Sequence, residues 1–298
     1  MKIAIVIPAY NCRGTISETL ESLQRVCLGW EHVAAVIVCD DASTDDTVEV
    51  VKASMFDRCR LQLLRHETNR GEGACYGTMV AALSADVNWL LILHSDDLVL
   101  ENFLTRNVEI ARRCPERTAA VSSNYYVFSG SDERLAHIPP QDLIVWRGGK
   151  TDEITHTAVA GTWWHISGSL VNRILWEKFG GRDPCLPQLG DWDLMLRWQK
   201  NDYLVGHSLI PTTKYRLTSG SVSAQSYLQF RDLLERVTVI TRHPTVFTRR
   251  LRLRAAWSLA LQATRRTVKL TLAGKLNYAL RGALASATCI FRLSFPSA

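Results

Sequence analysis

LLILHSDD, residues 90–97, is the stretch that decides the fold of this chain. Its four bulky apolar residues, which follow Trp89, predict a short buried strand. A parallel strand buried on both faces stays apolar up to its carboxyl end, which is where open α/β sheets bind their ligands. Because the adjacent carboxylates of Asp96 and Asp97 repel each other unless a cation lies nearby, they favour Mg²⁺ or Mn²⁺ with a bound phosphate. The alternative is a strand followed by a solvated helix cap.

The chain before this stretch alternates between strands and helices. Predicted strands cover residues 2–7, 32–39 and 60–64, and predicted helices cover 14–26, 45–55 and a segment ending at Ala85. Such an alternation is the pattern of a doubly wound parallel sheet. Pro8 lacks an N–H group and is predicted to end the first strand.

Polar residues follow three of the predicted strands, at Tyr10-Asn11, Asp40-Asp41 and residues 94–97. Because parallel strands point the same way, these loops are expected to converge on one edge of the sheet. No Gly-x-Gly-x-x-Gly follows the first strand, and no P-loop motif occurs in the chain. We therefore expect a metal, rather than a glycine-rich loop, to hold a phosphate group at this edge.

The composition indicates a globular protein. The 298 residues are 47% hydrophobic and 21% charged, which suits one large domain with an appendage or two small domains. The eight cysteines are scattered, without a Cys-x-x-Cys pair, which argues against a zinc site and a disulfide framework and favours a reducing compartment. The apolar run before Pro8 is shorter than a secretory signal requires.

The charge is distributed unevenly along the chain. Residues 231–298 contain 13 Lys and Arg against 2 Asp and Glu, whereas residues 1–230 contain 22 against 27. The chain is therefore an acidic body with a basic tail.

Four short motifs together resemble glycosyltransferase family 2. They are Val6-Ile7-Pro8-Ala9-Tyr10-Asn11, Asp40-Asp41-Ala42-Ser43-Thr44-Asp45, Asn69-x-Gly71 and Ser95-Asp96-Asp97. The resemblance implies an inverting, nucleotide-sugar-dependent enzyme with the GT-A fold, an α/β fold whose Rossmann-like, mostly parallel central sheet is flanked by helices. It implies a GT-A domain at residues 1–225, with a nucleotide-sugar half at 1–128 and an acceptor half at 129–225; the residues after it predict a basic helical C-terminal region at 226–298.

The resemblance also assigns roles to individual residues. In such enzymes the loop that matches Pro8–Asn11 lies against the base and ribose, the residue that matches Asp41 contacts the base, and the residue that matches Asp96 holds the metal. The residues expected to bind the nucleotide sugar are Pro8, Ala9, Tyr10, Asn11, Asp41, Asn69, Gly71, His94, Ser95, Asp96 and Arg216. Mn²⁺ or Mg²⁺ is expected at Asp96 and Asp97, and a UDP-sugar is the expected donor.

His94 departs from the family pattern, which has Asp at this position. A neutral imidazole can bind a transition metal or a ribose hydroxyl, but it adds no negative charge. The departure leaves three expectations open: weaker metal binding, a preference for Mn²⁺, or compensation by Asp97. His94 as a simple end to the strand is the further alternative.

Residues 190–194 (GDWDL) match the family's Glu-Asp-x-Asp-Leu element, with Gly190 in place of the Glu. The resemblance makes Asp191 the general base, because an acceptor hydroxyl is a poor nucleophile until a carboxylate takes its proton. An acidic residue at a helix N-terminus is the alternative. Asp193 is expected to be structural, holding the helix or Arg197.

Three further segments allow two interpretations each. Residues 129–150 are predicted to form a loop, either ordinary or mobile above the site. Trp163, Trp164 and His165 form either a wall for a sugar ring or part of the core. Residues 215–223 resemble the loop that closes over the diphosphate in relatives, with Arg216 on phosphate, or they form a surface turn; a His common there in the family is missing.

The basic tail is predicted to be helical, with Leu and Trp interleaved among its Arg residues. It has no stretch of 18 uncharged apolar residues, so a spanning helix is not expected. Basic amphipathic helices with Trp suit an anionic membrane surface, and no nucleic-acid recognition motif accompanies this tail. A solvated appendage or a homodimer contact is the alternative.

These observations predict a metal-dependent inverting glycosyltransferase of surface polysaccharide or glycolipid synthesis. Its acceptor would be a saccharide or a lipid-linked hydroxyl, and its location would be cytoplasmic, peripheral on the inner face of the cell membrane. One alternative is a nucleotidyltransferase, although residues 9–14 lack the glycine-rich basic loop that such enzymes carry. Another is a non-catalytic sugar-nucleotide-binding scaffold at the membrane, whose metal site was lost at His94.

Overall fold

The computed structural model describes residues 1–54, 56, 61–136, 143–147, 164–218 and 222–294, with the backbone alone at 143–147. The chain divides into two compact units. Unit 1 comprises Met1–Arg147, His165–Pro184 and Asn201–Leu217, and unit 2 comprises Gly148–Trp164, Cys185–Lys200 and Thr218–Ala298. The predicted division at residues 225 and 226 stays a prediction.

Unit 1 is built on one mixed sheet. Its strands are β1 (Ile3–Ala9), β2 (Val33–Asp40), β3 (Leu61–Arg65), β4 (Trp89–Ile92), β5 (Leu98–Val99), β6 (Thr118–Ser129), β7 (Asp132–Leu135), β8 (Leu143–Arg147), β9 (Leu170–Asn172) and β10 (Leu204–Arg216). The order is β3-β2-β1-β4-β9-β6-β10-β5, with β7 on β6 and β8 on β10. The β3-β2-β1-β4 part is parallel, as is β6 with β10, while β9 runs antiparallel to both β4 and β6. The predicted α/β class with a mostly parallel central sheet and C-terminal helices is confirmed.

The helices of unit 1 flank this sheet. They are α1 (Ile16–Gln24), α2 (Thr47–Ala53), α3 (Glu72–Ala81), α4 (Phe103–Arg113) and α5 (Arg173–Lys178). In α1, Ile16, Leu20 and Leu23 lie three or four residues apart and are buried, so one face of the helix packs into the core formed by β1 and β2. β1 is buried along its whole length, as expected for a parallel strand covered on both faces.

The first strand continues through Pro8 to Ala9, so the prediction that Pro8 ends it is wrong. The pairing of β1 with β4 ends at Val6, whereas its pairing with β2 continues to Ala9. The Val6 carbonyl accepts the Leu93 N–H at 3.1 Å, and the Ala9 carbonyl accepts the Asp41 N–H at 2.8 Å, so alternate residues face β4 and β2. Pro8 faces the β4 side beyond the end of that ladder, where its missing N–H costs no hydrogen bond.

The segment predicted as a loop at 129–150 contains two strands. β7 forms a hairpin with β6 after Gly130, whose φ of 59° suits the turn, and β8 pairs with β10. The loop prediction is therefore wrong for these strands, and the rest of the segment after Ala136 lies outside the described residues. β7 (Asp-Glu-Arg-Leu) is mostly exposed at the edge of the sheet, so it has no apolar alternation that sequence could reveal.

Unit 2 contains α6 (Gly190–Gln199), α7 (Val222–Gln229), α8 (Arg231–Arg242), α9 (Arg249–Leu272) and α10 (Ala279–Ser294). α9 and α10 pack against each other, and Gly282 allows a close approach: a Cβ there would lie 1.7 Å from Thr267 Oγ1. Arg266 joins α9 to α8 through two hydrogen bonds, at 2.6 and 2.8 Å, to the carboxylate of Asp232. Within the described part of the chain, no helix has both the length and the apolar character needed to cross a membrane.

Candidate active site

The polar ends of β1, β2 and β4 lie at one edge of the sheet. The parallel register pairs Ala9 with Asp40 and Val6 with Ile92, so the three carboxyl ends are level within a few residues. The predicted convergence of the loops at Tyr10-Asn11, Asp40-Asp41 and residues 94–97 is thus confirmed. Because these loops directly follow buried strands, the strand ends determine the positions of the polar residues.

Asn11 joins the first two of these loops. Its Oδ1 accepts the Thr44 N–H at 2.8 Å, and its own N–H donates to Ser43 Oγ at 2.9 Å. Its φ of 47° lies in the left-handed region, which Asn tolerates better than most residues. The neighbouring Tyr10 is 48% exposed, so its ring is available to a ligand at this edge.

Asp41 is buried and holds the backbone of the loop after β3. Its Oδ1 lies 2.7 Å from His66 Nδ1 and accepts the Arg70 N–H at 2.9 Å, while its Oδ2 accepts the Gly71 N–H at 2.7 Å. Gly71 has a φ of 84°, which a side chain would strain, and it directly precedes α3. Asn69 and Gly71, which are predicted to bind the nucleotide sugar, therefore lie in a loop whose backbone is held by the buried Asp41 carboxylate.

Asp40 is a structural neighbour of this loop. Its side chain is fully buried, and its Oδ2 accepts the Ser43 N–H at 3.1 Å and lies 3.3 Å from Arg65 Nε. Asp40 therefore caps the turn that contains Ser43 and Thr44, whereas Asp41 holds the loop after β3.

His94 is paired with an acid that sequence reasoning missed. Its Nε2 lies 3.1 Å from Glu72 Oε1, and the other oxygen of Glu72 accepts a hydrogen bond from Arg182. Burial lowers the pKa of the His94 imidazole, but the hydrogen bond and charge of Glu72, with Asp97 and Asp96, outweigh it and raise the pKa to about 9. His94 is therefore an imidazolium at neutral pH, so this end of β4 carries a positive charge where the family pattern has a negative one.

Glu72 has the opposite shift. Burial raises its pKa, but the charges of Arg182 and His94 outweigh burial and hold the pKa well below its usual range. Glu72 begins α3 and Arg182 lies more than 100 residues later, so no local motif connects them. The glycine-bearing loop before Glu72 and the Gly-Gly before Arg182 are the only local signals that the sequence offers.

Asp96 and Asp97 differ in environment, although they are adjacent. The Asp96 side chain is partly exposed, and its carboxylate has no hydrogen-bond or ion-pair partner among the residues that the structure describes. Asp97 is buried, and its carboxylate accepts the Arg216 N–H at 3.0 Å and the hydroxyl of Ser167. Burial raises the pKa of Asp97 to about 6, with Asp96 adding to the shift and His94 opposing it.

Arg216 lies at the end of β10, not in a loop as predicted, and it braces both acids. Besides its bond to Asp97, its Nε donates to the Asp96 carbonyl at 2.8 Å and its Nη2 to Glu18 at 2.7 Å. The guanidinium also lies 4.6 Å from the centre of the Phe128 ring. Of the rest of the predicted closing loop, residues 219–221 lie outside the described residues.

His165 packs among aromatic rings beside His94. Its ring centre lies 4.7 Å from that of Tyr215, 5.0 Å from that of Tyr125 and 5.7 Å from that of His94. Burial and the charge of His94 lower the pKa of His165 to about 3, so it is neutral. Its Nδ1 lies 3.2 Å from the Ser167 carbonyl, an acceptor, so Nδ1 carries the proton and Nε2 keeps its lone pair.

Two groups of side chains at this edge have the chemistry of metal ligands. The Asp96 carboxylate fits a hard cation such as Mg²⁺ or Mn²⁺, because it is accessible and no described residue donates a hydrogen bond to it. One ligand atom each of His94, Asp97 and His165 lie within 4.8 Å of one another, but His94 and Asp97 already have protein partners in Glu72 and Arg216. The residues therefore fit a divalent ion at Asp96 most directly.

Unit 2 contains the predicted general base. Asp191 lies in the first turn of α6, is mostly buried, and accepts the Trp192 N–H at 2.7 Å. Asp193 pairs with Arg197 Nε at 2.8 Å and with His243 Nε2 at 2.9 Å, so its predicted structural role on Arg197 is confirmed. Trp164 is buried with its ring centre 5.8 Å from that of Trp198, which is a core position, and Trp163 lies outside the described residues.

Comparison with known proteins agrees with this geometry. The family model described as Glycosyl transferase family 2 matches residues 4–175. The Escherichia coli protein "UDP-Glc:alpha-D-GlcNAc-diphosphoundecaprenol beta-1,3-glucosyltransferase WfaP" is 25% identical over 240 residues, which cover 80% of this chain and 85% of that protein.

Two solved structures share the fold. S. aureus TarS 1-349 in complex with UDP-GlcNAc superposes with a TM-score of 0.69 and 17% identity, covering 97% of this chain and 82% of that one. The mannosyltransferase PcManGT from Pyrobaculum calidifontis, in complex with GDP-Man and Mn²⁺, superposes with a TM-score of 0.60 and 17% identity, covering 98% and 81%.

Proposed function

The chain belongs to glycosyltransferase family 2 and is a nucleotide-sugar glycosyltransferase with the GT-A fold, and we propose that it transfers a hexose from a UDP-sugar to a lipid-linked or saccharide hydroxyl with inversion. The Asp96 carboxylate in the loop after β4, which has no hydrogen-bond or ion-pair partner among the described residues, is the observation that supports the proposed site for the nucleotide sugar. A UDP-sugar is favoured because the E. coli relative is described as using UDP-Glc and the TarS structure contains UDP-GlcNAc. The match to Glycosyl transferase family 2 favours sugar transfer over nucleotidyl transfer and over a non-catalytic scaffold.

The donor site is proposed at the carboxyl edge of unit 1. Tyr10 and Asn11 would receive the base and ribose, together with the loop of Asn69 and Gly71 that Asp41 holds in place. Asp96 would hold Mn²⁺ or Mg²⁺, which when bound offsets negative charge on the departing diphosphate. Asp97 supports this edge through Arg216, since its carboxylate is already hydrogen bonded.

Asp191 is proposed as the base because it matches the second residue of the family's acidic element. The acceptor oxygen attacks the anomeric carbon from the face opposite the diphosphate, and its proton passes to the Asp191 carboxylate as the bond forms. The bond from the anomeric carbon to the diphosphate oxygen breaks, and its electron pair stays with the nucleoside diphosphate. The configuration at the anomeric carbon is inverted.

The substitution Asp191→Asn tests the proposal. Removing the base should reduce turnover by roughly 10²–10⁴-fold, while calorimetric affinity for UDP with Mn²⁺ stays at the parent value. Turnover is measured with a panel of UDP-, GDP- and dTDP-sugars on lipid-linked acceptors. Asp202→Asn, an exposed position outside the predicted site, is the matched control and should keep both quantities. Transfer by Asp191→Asn at the parent rate would show that the base is another residue.

We further propose that α9 and α10 attach the enzyme to an anionic membrane surface on the cytoplasmic side. Apolar side chains remain exposed along both helices and in the turn that connects them: Leu253, Trp257, Leu261, Val268, Leu272, Leu276, Leu280, Leu284 and Phe291. We call this set the apolar stripe; Trp257 is 68% exposed and Leu272 is 84% exposed. Arg249, Arg250, Arg254 and Lys269 are exposed on the same helix as Trp257, and a cationic surface with exposed Leu and Trp suits anionic lipid.

A further inference from the structure

A second group of side chains that can bind a metal lies near the carboxyl edge of the sheet in unit 1, apart from Asp96. Cys39 is at the end of β2, His66 follows β3 directly, and Cys75 is on α3. All three side chains are buried, and one ligand atom of each lies within 4.8 Å of the others. The Cys39 Sγ lies 3.8 Å from His66 Nε2.

Asp41 determines which ring nitrogen of His66 carries the proton. The 2.7 Å contact joins His66 Nδ1 to a carboxylate oxygen that also accepts the Arg70 N–H, so Nδ1 must be the protonated nitrogen. The lone pair is then on Nε2, on the side of the sulfur atoms. A histidine that donates from one nitrogen to a carboxylate and offers the other to an ion is the usual arrangement in protein zinc sites.

The two sulfur atoms are close enough to influence each other. The Cys75 thiol donates to the Cys39 sulfur, which lowers the pKa of Cys39 in spite of its burial. The same hydrogen bond, with burial, raises the pKa of Cys75. Both sulfur atoms would bind an ion as thiolates, because a coordinated thiol loses its proton.

The spacing also suits an ion. With Zn–S near 2.3 Å and Zn–N near 2.0–2.1 Å, tetrahedral geometry separates the ligand atoms by about 3.6–3.8 Å. We propose that Cys39, His66 and Cys75 form a binding site for a thiophilic divalent cation, Zn²⁺ in particular, with Asp41 orienting the histidine. The Thr78 hydroxyl donates to His66 Nε2 at 2.8 Å, and a bound ion would replace this hydrogen bond. The ligands are 27 and 9 residues apart, so no cysteine motif reveals them.

A bound ion would link β2, the loop after β3 and α3 at one point. Because Asp41 also holds the backbone at Arg70 and Gly71, the ion would stiffen the loop next to the proposed nucleotide site without contacting the nucleotide. This site uses sulfur and nitrogen, whereas the Asp96 site offers oxygen, so the two should select different metals.

The test uses the full chain, reduced with a phosphine and freed of metal. Titration with Co²⁺ should produce thiolate-to-metal charge-transfer absorption at one equivalent, and Zn²⁺ should displace it and raise the melting temperature. X-ray absorption of the zinc-loaded parent should show two sulfur neighbours at about 2.3 Å and lighter neighbours at about 2.0–2.1 Å. A shell of oxygen and nitrogen alone would overturn the proposal, and this readout needs no variant.

Variants locate the site. Cys39→Ala and Cys75→Ala should abolish the charge-transfer band, and Asp41→Asn should weaken Zn²⁺ binding by roughly 10–100-fold. The matched control is Cys27→Ser, an exposed cysteine outside the cluster, and Asp96→Asn separates this site from the proposed catalytic metal. Both controls should keep the band. A band that survives in Cys39→Ala and Cys75→Ala, or a Cys39–Cys75 disulfide that persists under reduction, would show that the cluster binds no metal.

Discussion

His94 replaces a family aspartate, and the structure shows how the site accommodates it. The imidazolium lies between Glu72 and Asp97 and its backbone N–H donates to Ser167, so its charge is compensated within the protein. An aspartate there would instead add a third carboxylate to Glu72 and Asp97. The positive charge at position 94 is thus matched by Glu72, an acid from a different element.

We predict that His94→Asp lowers the free energy of unfolding of the metal-free protein by roughly 1–3 kcal/mol, because the Glu72 ion pair becomes a like-charge contact. Mn²⁺ should restore more of this loss in the variant than it adds to the parent, since the new carboxylate strengthens the cation site. Denaturant unfolding with and without Mn²⁺ measures both effects. The control, His94→Asn, removes the charge without adding an acid and should show no enhanced response to Mn²⁺; an equal response in both variants would contradict the argument.

Asp193 gives a pH dependence with a defined sign. Burial raises its pKa, but the hydrogen bond from His243 and the charge of Arg197 outweigh it, so the folded-state pKa lies below the ordinary value of 3.8. Its contribution is fully present above that value and is lost as the pH falls through the folded pKa. Asp193→Asn should cost about 3 kcal/mol at neutral pH, because it removes the carboxylate that both Arg197 and the buried His243 contact.

The difference in unfolding free energy between parent and Asp193→Asn should stay constant from neutral pH down to about pH 5 and shrink below about pH 4. Urea unfolding across this range measures it. Asp202→Asn should match the parent throughout. A difference between parent and Asp193→Asn that grows as the pH falls would contradict the lowered pKa of Asp193.

At the level of helices and strands, predictability follows burial. β1, β2 and β4 are covered on both faces, so their sequences are continuous apolar runs and the polar residues that follow them mark the site. β7 is an exposed edge strand and β9 has three residues, so neither has a pattern long enough to recognise. Asn11, Asp41 and Asp96 could be predicted from strand ends, whereas Glu72 and Arg182 meet only through tertiary packing.

The contact between α9 and α10 depends on Gly282. A Cβ at this position would overlap Thr267 and lie 2.8 Å from Phe230 Cζ, so Gly282→Ala should lower the unfolding free energy by about 1–3 kcal/mol. Differential scanning calorimetry or denaturant unfolding checks the loss. The matched control, Gly77→Ala in α3, meets no atom within 4 Å and should be neutral or stabilise by about 0.5–1 kcal/mol. Equal behaviour of the two variants would mean that the helices can separate without cost.

Across the whole molecule, the uneven distribution of charge coincides with the distribution of exposed apolar side chains. Most of the positive excess in residues 231–298 belongs to the two helices that carry the apolar stripe, whereas the acidic body carries the proposed donor site. Sequence composition alone indicated the charge; only the structure shows that Trp257 and its neighbours are left outside the helix packing.

We predict that the protein sediments with vesicles containing phosphatidylglycerol and much less with phosphatidylcholine vesicles. Screening should weaken binding as salt rises from about 0.1 M to 1 M, because the Debye length falls from about 10 Å to about 3 Å. The double variant Trp257→Ser, Leu272→Ser should release the protein at all salt concentrations. Ile174→Ser, which changes an apolar residue of unit 1 that is nearly as exposed as Trp257, should not. Concentration-dependent dimerisation by sedimentation velocity, without vesicle binding, would assign the stripe to a second copy instead.

The position of β9 has a consequence for synthesis on the ribosome. This strand, residues 170–172, is inserted between β4 and β6, both of which precede it in the chain. Until it emerges, the nascent sheet has two hydrogen-bonding edges facing an open slot, and such edges are prone to pair with other chains. We therefore expect fragments that stop before residue 170 to aggregate, and chaperones that shield nascent strands to matter most in the interval between the synthesis of β6 and β9.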